Sequence, residues 1–217
     1  MKGLHFVFDV SFIGAERVVL SLLLMRFLLG LTRTLVALGL GLWIGGLVFF
    51  GAITAAIMFR MTREAGVADM APRMVGPMLS RFAIVCTVCS FILVGGWLLD
   101  GILTLTTRAL WWRLQGGLTV IAVSLGAYLN FGLLPTVERD QPAVLPLYVR
   151  SQSVPSSSPP STPAPLSPEE AELKARFDAG HAQFKRLSFI DIWLLVGALA
   201  CLMARSLPAE VGRQQSN

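Results

Sequence analysis

Cys86 and Cys89 stand three residues apart in an apolar stretch, a spacing that puts both thiols on one helix face. With the imidazole of His181 they are the softest ligand set in the chain, of a kind that suits zinc or copper(I). A Cys-x-x-Cys inside an apolar helix, however, lacks the exposed helix N-terminus that activates a thiol, and buried cysteines commonly act as small hydrophobes. The plainer reading is an inert, packed pair: no metal is assigned, and Cys86, Cys89 and His181 are the candidates should one bind. Met70, Met74 and Met78 recur every four residues, and thioethers also take copper(I). Pro72 and Pro77 are expected to interrupt any helix that would align them. The chain has no HExxH, no phosphate-binding glycine loop and no Ser-His-Asp order. Its two histidines are His5 and His181, so a bis-histidine haem would need both. No cofactor and no enzyme activity are expected.

These residues sit in a chain built for lipid. Of 217 residues, 54% are hydrophobic and 14% charged, with a mean hydropathy of +0.68, whereas soluble domains carry about 25% charged residues. The net charge of +5 and pI near 9.6 could, in a soluble protein, point to nucleic acid. Here the arginines flank apolar segments, where they meet headgroups, so the expected partner is the bilayer and not nucleic acid. A helix crosses the hydrocarbon core with about 20 apolar residues. Four segments qualify: Thr34 to Phe59, Phe82 to about Thr106, Leu114 to Val137, and roughly Leu187 to Ala204. The fold class is all-α, an integral membrane bundle of four transmembrane helices in a multi-pass protein, in the cell membrane if the source is bacterial.

The expected organisation follows. Residues 1–24 read as an extension or amphipathic helix, with Met25 ahead of "RFLLGLTR" as the natural start. Residues 25–138 hold the first three spans. Residues 139–168 read as a Pro/Ser-rich disordered linker, on the strength of "SVPSSSPPSTPAPLSP". Ser167 with Glu170 three residues on, and Pro168 at the first helical position, signal a helix start. That helix, 169–186, places Leu173, Phe177, His181 and Phe184 on one face and is expected to lie along the membrane surface before turning into span four, 187–205. Residues 206–217 are a tail.

Four crossings return both termini to one side, A, opposite side B. Lys2, Arg17, Arg26, Arg33, Arg108, Arg113, Arg205 and Arg213 fall on A; Arg60, Arg63, Arg73, Arg81, Arg139, Arg150, Lys174, Arg176, Lys185 and Arg186 fall on B. The surplus leans toward B facing the cytoplasm. Ionisable residues in a span are costly and tend to be functional. Asn130, Asp191, Cys86 and Cys89 belong to the B leaflet, with His181 just outside, and form the one constellation that resembles a site. Asp100 lies near A with Trp97, Arg108, Trp111 and Trp112, and reads as an interfacial carboxylate paired with arginine in an aromatic belt.

Small residues crowd "LWIGGLVFFGAITAAIMFR". Gly41 and Gly45 form a GxxxG, Gly46 follows, and Gly51 with Ala55 repeats the spacing. Such faces let helix backbones approach in lipid, where hydrophobic transfer cannot drive association. Packing of span one against the other spans is the first reading, favoured by Gly95-Gly96 and Gly116-Gly117. A seam to a second copy or a membrane protein partner is the other.

That segment, together with "YLNFGLLPTVER" and "FDAGHAQFKRLSFIDIWLL", resembles the transmembrane protein 205-like family, domain of unknown function 4149. The matching positions are Trp43, Gly45, Gly46, Phe49, Asn130, Pro135, Phe177 and His181, in the family's order and over about Met25 to Arg205. The resemblance implies four helices and a membrane location, with no established activity. The first helix is also distantly similar to the Trp-x-Gly-Gly helix of copper-resistance membrane proteins. There a histidine precedes the tryptophan; "LVALGLGLW" has none, against copper binding by this helix. The functional expectation is a non-enzymatic membrane protein with a packing or interaction role. The alternative is metal or small-solute handling through Asn130, Cys86, Cys89, His181 and Asp191.

Overall fold

A computed structural model describes residues 4–67, 70–104, 110–152 and 166–206, with the backbone alone for 4–17 and 149–152. It holds α1 (Leu4–Val48), a π-helical turn (Phe49–Thr54) leading into α2 (Ala55–Glu64), α3 (Met70–Thr104), α4 (Leu110–Ala127), a second π-helical turn (Tyr128–Leu133) leading into α5 (Leu134–Gln152), and α6 (Pro168–Ser206). No strand occurs among the described residues. The two π-turns join α1 to α2 and α4 to α5 without a break, which makes four rods, each long and apolar enough to cross a membrane. The chain is an all-α, multi-pass membrane protein.

Each span buries one stripe. The buried positions include Phe82, Cys86, Cys89 and Leu93 on α3, Gln115, Thr119, Ala122 and Gly126 on α4, and Asp191, Leu195, Ala198 and Leu202 on α6. All three step by four, three and four residues, and Val36, Leu40 and Trp43 on α1 join them at four and three. That alternation keeps one seam inward, as in left-handed helical bundles. The most extensive packing is α4 on α6 and α1 on α3.

The helices are longer than the bilayer needs. The 35 residues of α3 and 39 of α6 span about 52 and 58 Å at 1.5 Å per residue, against a core of about 30 Å. On side A the apolar runs stop near Arg33, Asp100, Arg113 and Arg205; the surplus length of α3, α5 and α6 extends past Arg81, Glu138 and Arg186 on side B. The bundle therefore continues beyond the lipid on that side as a helical layer.

Three expectations are corrected there. Residues 139–152, assigned to the linker, are helical: α5 runs to Gln152 through Pro142 and Pro146. An interior proline costs about 3 kcal/mol, but α5 is anchored by buried Val144 and Leu147, by the Arg176–Asp140 ion pair at 2.9 Å, and by the Tyr148–Asp178 hydrogen bond. Residues 153–165 lie outside those described. Second, 169–186 and span four are one helix, unbroken at Arg186–Leu187, where no glycine or proline offers a turn. Third, α3 passes through Pro72 and Pro77, so Met70, Met74 and Met78 do align, on an exposed face. The helix start at Ser167 is as expected: Glu170 N–H donates to Ser167 Oγ at 3.2 Å and Ser167 N–H to Glu170 Oε2 at 2.9 Å. At the other end of the chain, 4–24 belong to the same helix as span one.

The glycines divide sharply. Phe82 lies against the Gly46 backbone where a side chain would stand, whereas a Cβ at Gly41, Gly45 or Gly51 would meet nothing. Packing of span one through Gly41, Gly45 and Gly51 is thus corrected: α1 meets α3 where Gly46 receives Phe82 and where Gly96 of α3 receives Val36. Gly46→Leu is expected to unfold the bundle or displace Phe82, while Gly41→Leu with Gly45→Leu leaves thermal unfolding in detergent within a few degrees of wild type. Equal damage from both would refute the division.

Candidate functional site

Where α2, α3, α5 and α6 leave the bilayer on side B they diverge around a cavity of about 530 Å³. Its walls are apolar: Phe50 and Phe59 from the first rod, Val75 and Leu79 from α3, Val137, Val144 and Leu145 from α5, Phe177 and Phe184 from α6. Phe177 stacks parallel to His181, ring centres 6.2 Å apart, and meets Tyr148 edge-on at 6.4 Å.

Most of the polar groups in the cavity are committed to each other. Gln141 Nε2 donates to the Pro72 carbonyl at 2.7 Å, Ser80 Oγ donates to Glu138, and Asp178 accepts from Lys174 Nζ at 2.8 Å and from Tyr148. Tyr148 lies beyond the charged Glu138–Asp140 that end the apolar segment. Burial and then the bond to Asp178 push its phenol up to about 12, so it stays a neutral donor. Arg63 and Lys185 have no ion pair among the described residues, and both line the cavity. Glu138 also lines the cavity without an ion pair among the described residues but accepts from Ser80, which leaves Arg63 and Lys185 as the lining cations with no ion pair there.

Directly below, sharing Leu79, Leu134 and Phe184 as a partition, lies a second hollow of about 20 Å³. Trp43 from α1, Cys86 from α3, Asn130 from the second π-turn, and Ser188 and Asp191 from α6 line it. Asp191 is 1% exposed. Neither of its oxygens, nor Ser188 Oγ, has a hydrogen-bond partner of ordinary geometry, although the Trp43 indole lies close by. Asn130 and Cys86 line the hollow together.

Of the five residues expected to form one group, the structure gathers Cys86, Asn130 and Asp191. Cys89 is buried in the bundle core away from the hollow, and His181 lines the larger cavity at an exposed position. No cluster of three or more His, Cys, Asp or Glu suited to a metal occurs among the described residues, so Cys86, Cys89 and His181 do not converge. Pro135, two residues past the π-helical segment, lines neither space. Ser188 was not singled out from the sequence, although its position three residues before Asp191 places both on one helix face.

At the A end, Asp100 is paired with arginine as expected, but from other helices. Arg33 Nε of α1 meets Asp100 Oδ1 at 2.8 Å, Arg205 of α6 closes on Oδ2, and Arg205 Nη1 donates to Gln115 Oε1 of α4 at 2.7 Å. Trp97 and Trp112 stack beside it at 4.6 Å. Arg108 lies outside the described residues. This clamp joins the four spans.

Residues 38–141 match a family model, Domain of unknown function (DUF4149). The match takes in Trp43, Gly46, Cys86, Asp100, Asn130 and Pro135, and ends before α6 supplies His181, Lys185, Ser188 and Asp191. No curated protein and no solved structure matches the chain.

Proposed function

We propose that this is a non-enzymatic membrane protein that takes an amphiphilic anion, such as a fatty acid or single-chain phospholipid, into the side-B cavity. The observation that carries the reading is an apolar space within the about 300–1,000 Å³ range of ligand pockets whose uncommitted cations are Arg63 and Lys185. An acyl chain gains contact with Phe50, Phe59, Phe177 and Phe184, and the headgroup stays near the water layer beside the two cations. Snorkelling of Arg63 and Lys185 to bulk lipid would need the same cations but no enclosed chain site. The reading agrees with small-solute handling at one membrane face. The likeness to the transmembrane protein 205-like family, through Trp43, Asn130, Pro135 and His181, adds a membrane setting and no activity.

Each interfacial Lys or Arg is worth about 1 kcal/mol toward an anionic headgroup. Arg63→Gln with Lys185→Gln is therefore expected to weaken binding of a fluorescent fatty acid by about tenfold or more, with much less effect on an uncharged monoacylglycerol. An unchanged fatty-acid affinity in the double variant would remove the support for the site.

A second reading, association with another copy or a membrane partner, is supported by the outward-facing Gly41 and Gly45. It predicts that the Gly41→Leu, Gly45→Leu protein, intact in fold, runs at a smaller oligomeric mass than wild type.

A further inference from the structure

The small hollow holds polar atoms that the protein itself leaves largely unsatisfied. Asp191 is 1% exposed at the depth of the spans, its carboxylate oxygens and Ser188 Oγ have no partner of ordinary geometry, the Trp43 indole being the one donor close by, and Asn130 and Cys86 line the same space. A carboxylate in such a place either takes up a proton or is balanced by a positive charge beside it. None of the other lining side chains, from α1, α3, α4 and its π-turn, α5 or α6, carries one. Arg33 and Arg205 are committed to Asp100 at the other end of the bundle. Lys185, on the cavity above, lies six residues along α6, roughly 9 Å of helix rise away.

We propose that this hollow is a site for one small monovalent cation of the sodium class, held by Asp191 Oδ1 and Oδ2, Ser188 Oγ and the Asn130 side-chain oxygen. Three features select that ligand. The donors are hard oxygens, which favour alkali and alkaline-earth ions over soft metals. A single carboxylate balances one positive charge, whereas a divalent ion would leave an excess. The volume of about 20 Å³ admits one water-sized particle and no more. The Asn130 amide supplies a further hard oxygen to the same hollow. A proton on Asp191 would neutralise the charge but leave the second carboxylate oxygen and Ser188 to be satisfied separately; one cation answers all of them. The proposal does not depend on what occupies the cavity above.

The test is thermal unfolding of the full chain in detergent, with sodium chloride replaced stepwise by choline chloride at fixed ionic strength and pH. Wild type is expected to gain about 5 °C in Tm, saturably, as sodium rises. Asp191→Asn and Ser188→Ala should each abolish most of that gain while melting cooperatively in choline. If Asp191→Asn fails to fold, Ser188→Ala alone decides. A wild-type Tm indifferent to sodium overturns the proposal, as does a Tm that follows pH instead, which would put a proton in the site. A sodium gain that survives Ser188→Ala and any folded Asp191→Asn overturns it too, because the ion then binds elsewhere.

Discussion

Asp100→Asn is expected to lower stability by about 3 kcal/mol or more, the usual cost of removing one partner from a buried ion pair. Asp100 is 3% exposed, and the Arg205 side chain it holds is 8% exposed. Asparagine keeps the shape and one acceptor but strips the charge, which leaves the Arg205 guanidinium among α1, α3 and α4 with Gln115 as a neutral partner. Arg33 is different. Its side chain is 27% exposed and can turn to headgroups, so Arg33→Gln should cost about 1 kcal/mol, near the range for solvent-screened pairs. Because the penalty in Asp100→Asn is an unpaired charge and not a lost attraction, Asp100→Leu with Arg205→Met should be more stable than Asp100→Leu alone. Denaturant unfolding of Asp100→Leu, Arg205→Met and the double variant in one detergent checks this; a double variant as weak as the sum of its singles would contradict it.

The sequence made the rods legible and left their faces obscure, for one physical reason. Span length and the charges that end each span are set by the bilayer, so Arg33, Arg60, Arg81, Arg113, Glu138 and Arg205 can be read directly from the chain. A helix that is apolar all round carries no hydrophobic period to show which side is inward. The inward stripe of α6 is marked instead by its polar members, Ser188 and Asp191, with Arg205 at its end. The same four-and-three steps from Phe184 onward pass the cavity wall, the hollow, the core and the clamp in turn. Glycine spacing was ambiguous for the same reason: GxxxG at Gly41 and Gly45 is as good a pattern as any, yet Gly46 is the one that receives Phe82. Prolines misled in the opposite direction. Pro72 falls in the first turn of α3, where no helical bond is lost; Pro77, Pro142 and Pro146 forbid local hydrogen bonds, but tertiary anchors between α3, α5 and α6 hold the helices across them. The large cavity left no trace in any one segment, because four helices from distant parts of the chain enclose it.

Trp43→Ala is the other substitution expected to have a large effect, about 3 kcal/mol, at the lower end for a buried tryptophan because lipid rather than water lies outside the bundle. Trp43 is 1% exposed, sits in the core between α1, α3 and α4, and walls the hollow beside Asp191. Its six-membered ring fills the place of a missing side chain: a Cβ at Gly126 would stand 2.5 Å from Trp43 Cζ2. Gly126→Ala in an otherwise intact protein should therefore cost about 1–3 kcal/mol by overpacking. With Trp43→Ala the space above Gly126 opens, and the same alanine becomes a partial filler. The pair is expected to couple favourably, with Trp43→Ala, Gly126→Ala unfolding at a higher denaturant concentration than Trp43→Ala alone. Additive losses would mean that the tryptophan does not rest on Gly126, and the four-and-three seam between α1 and α4 would have to be redrawn. Coupling of the expected sign would tie the wall of the Asp191 hollow to the packing of the bundle, since one indole serves both.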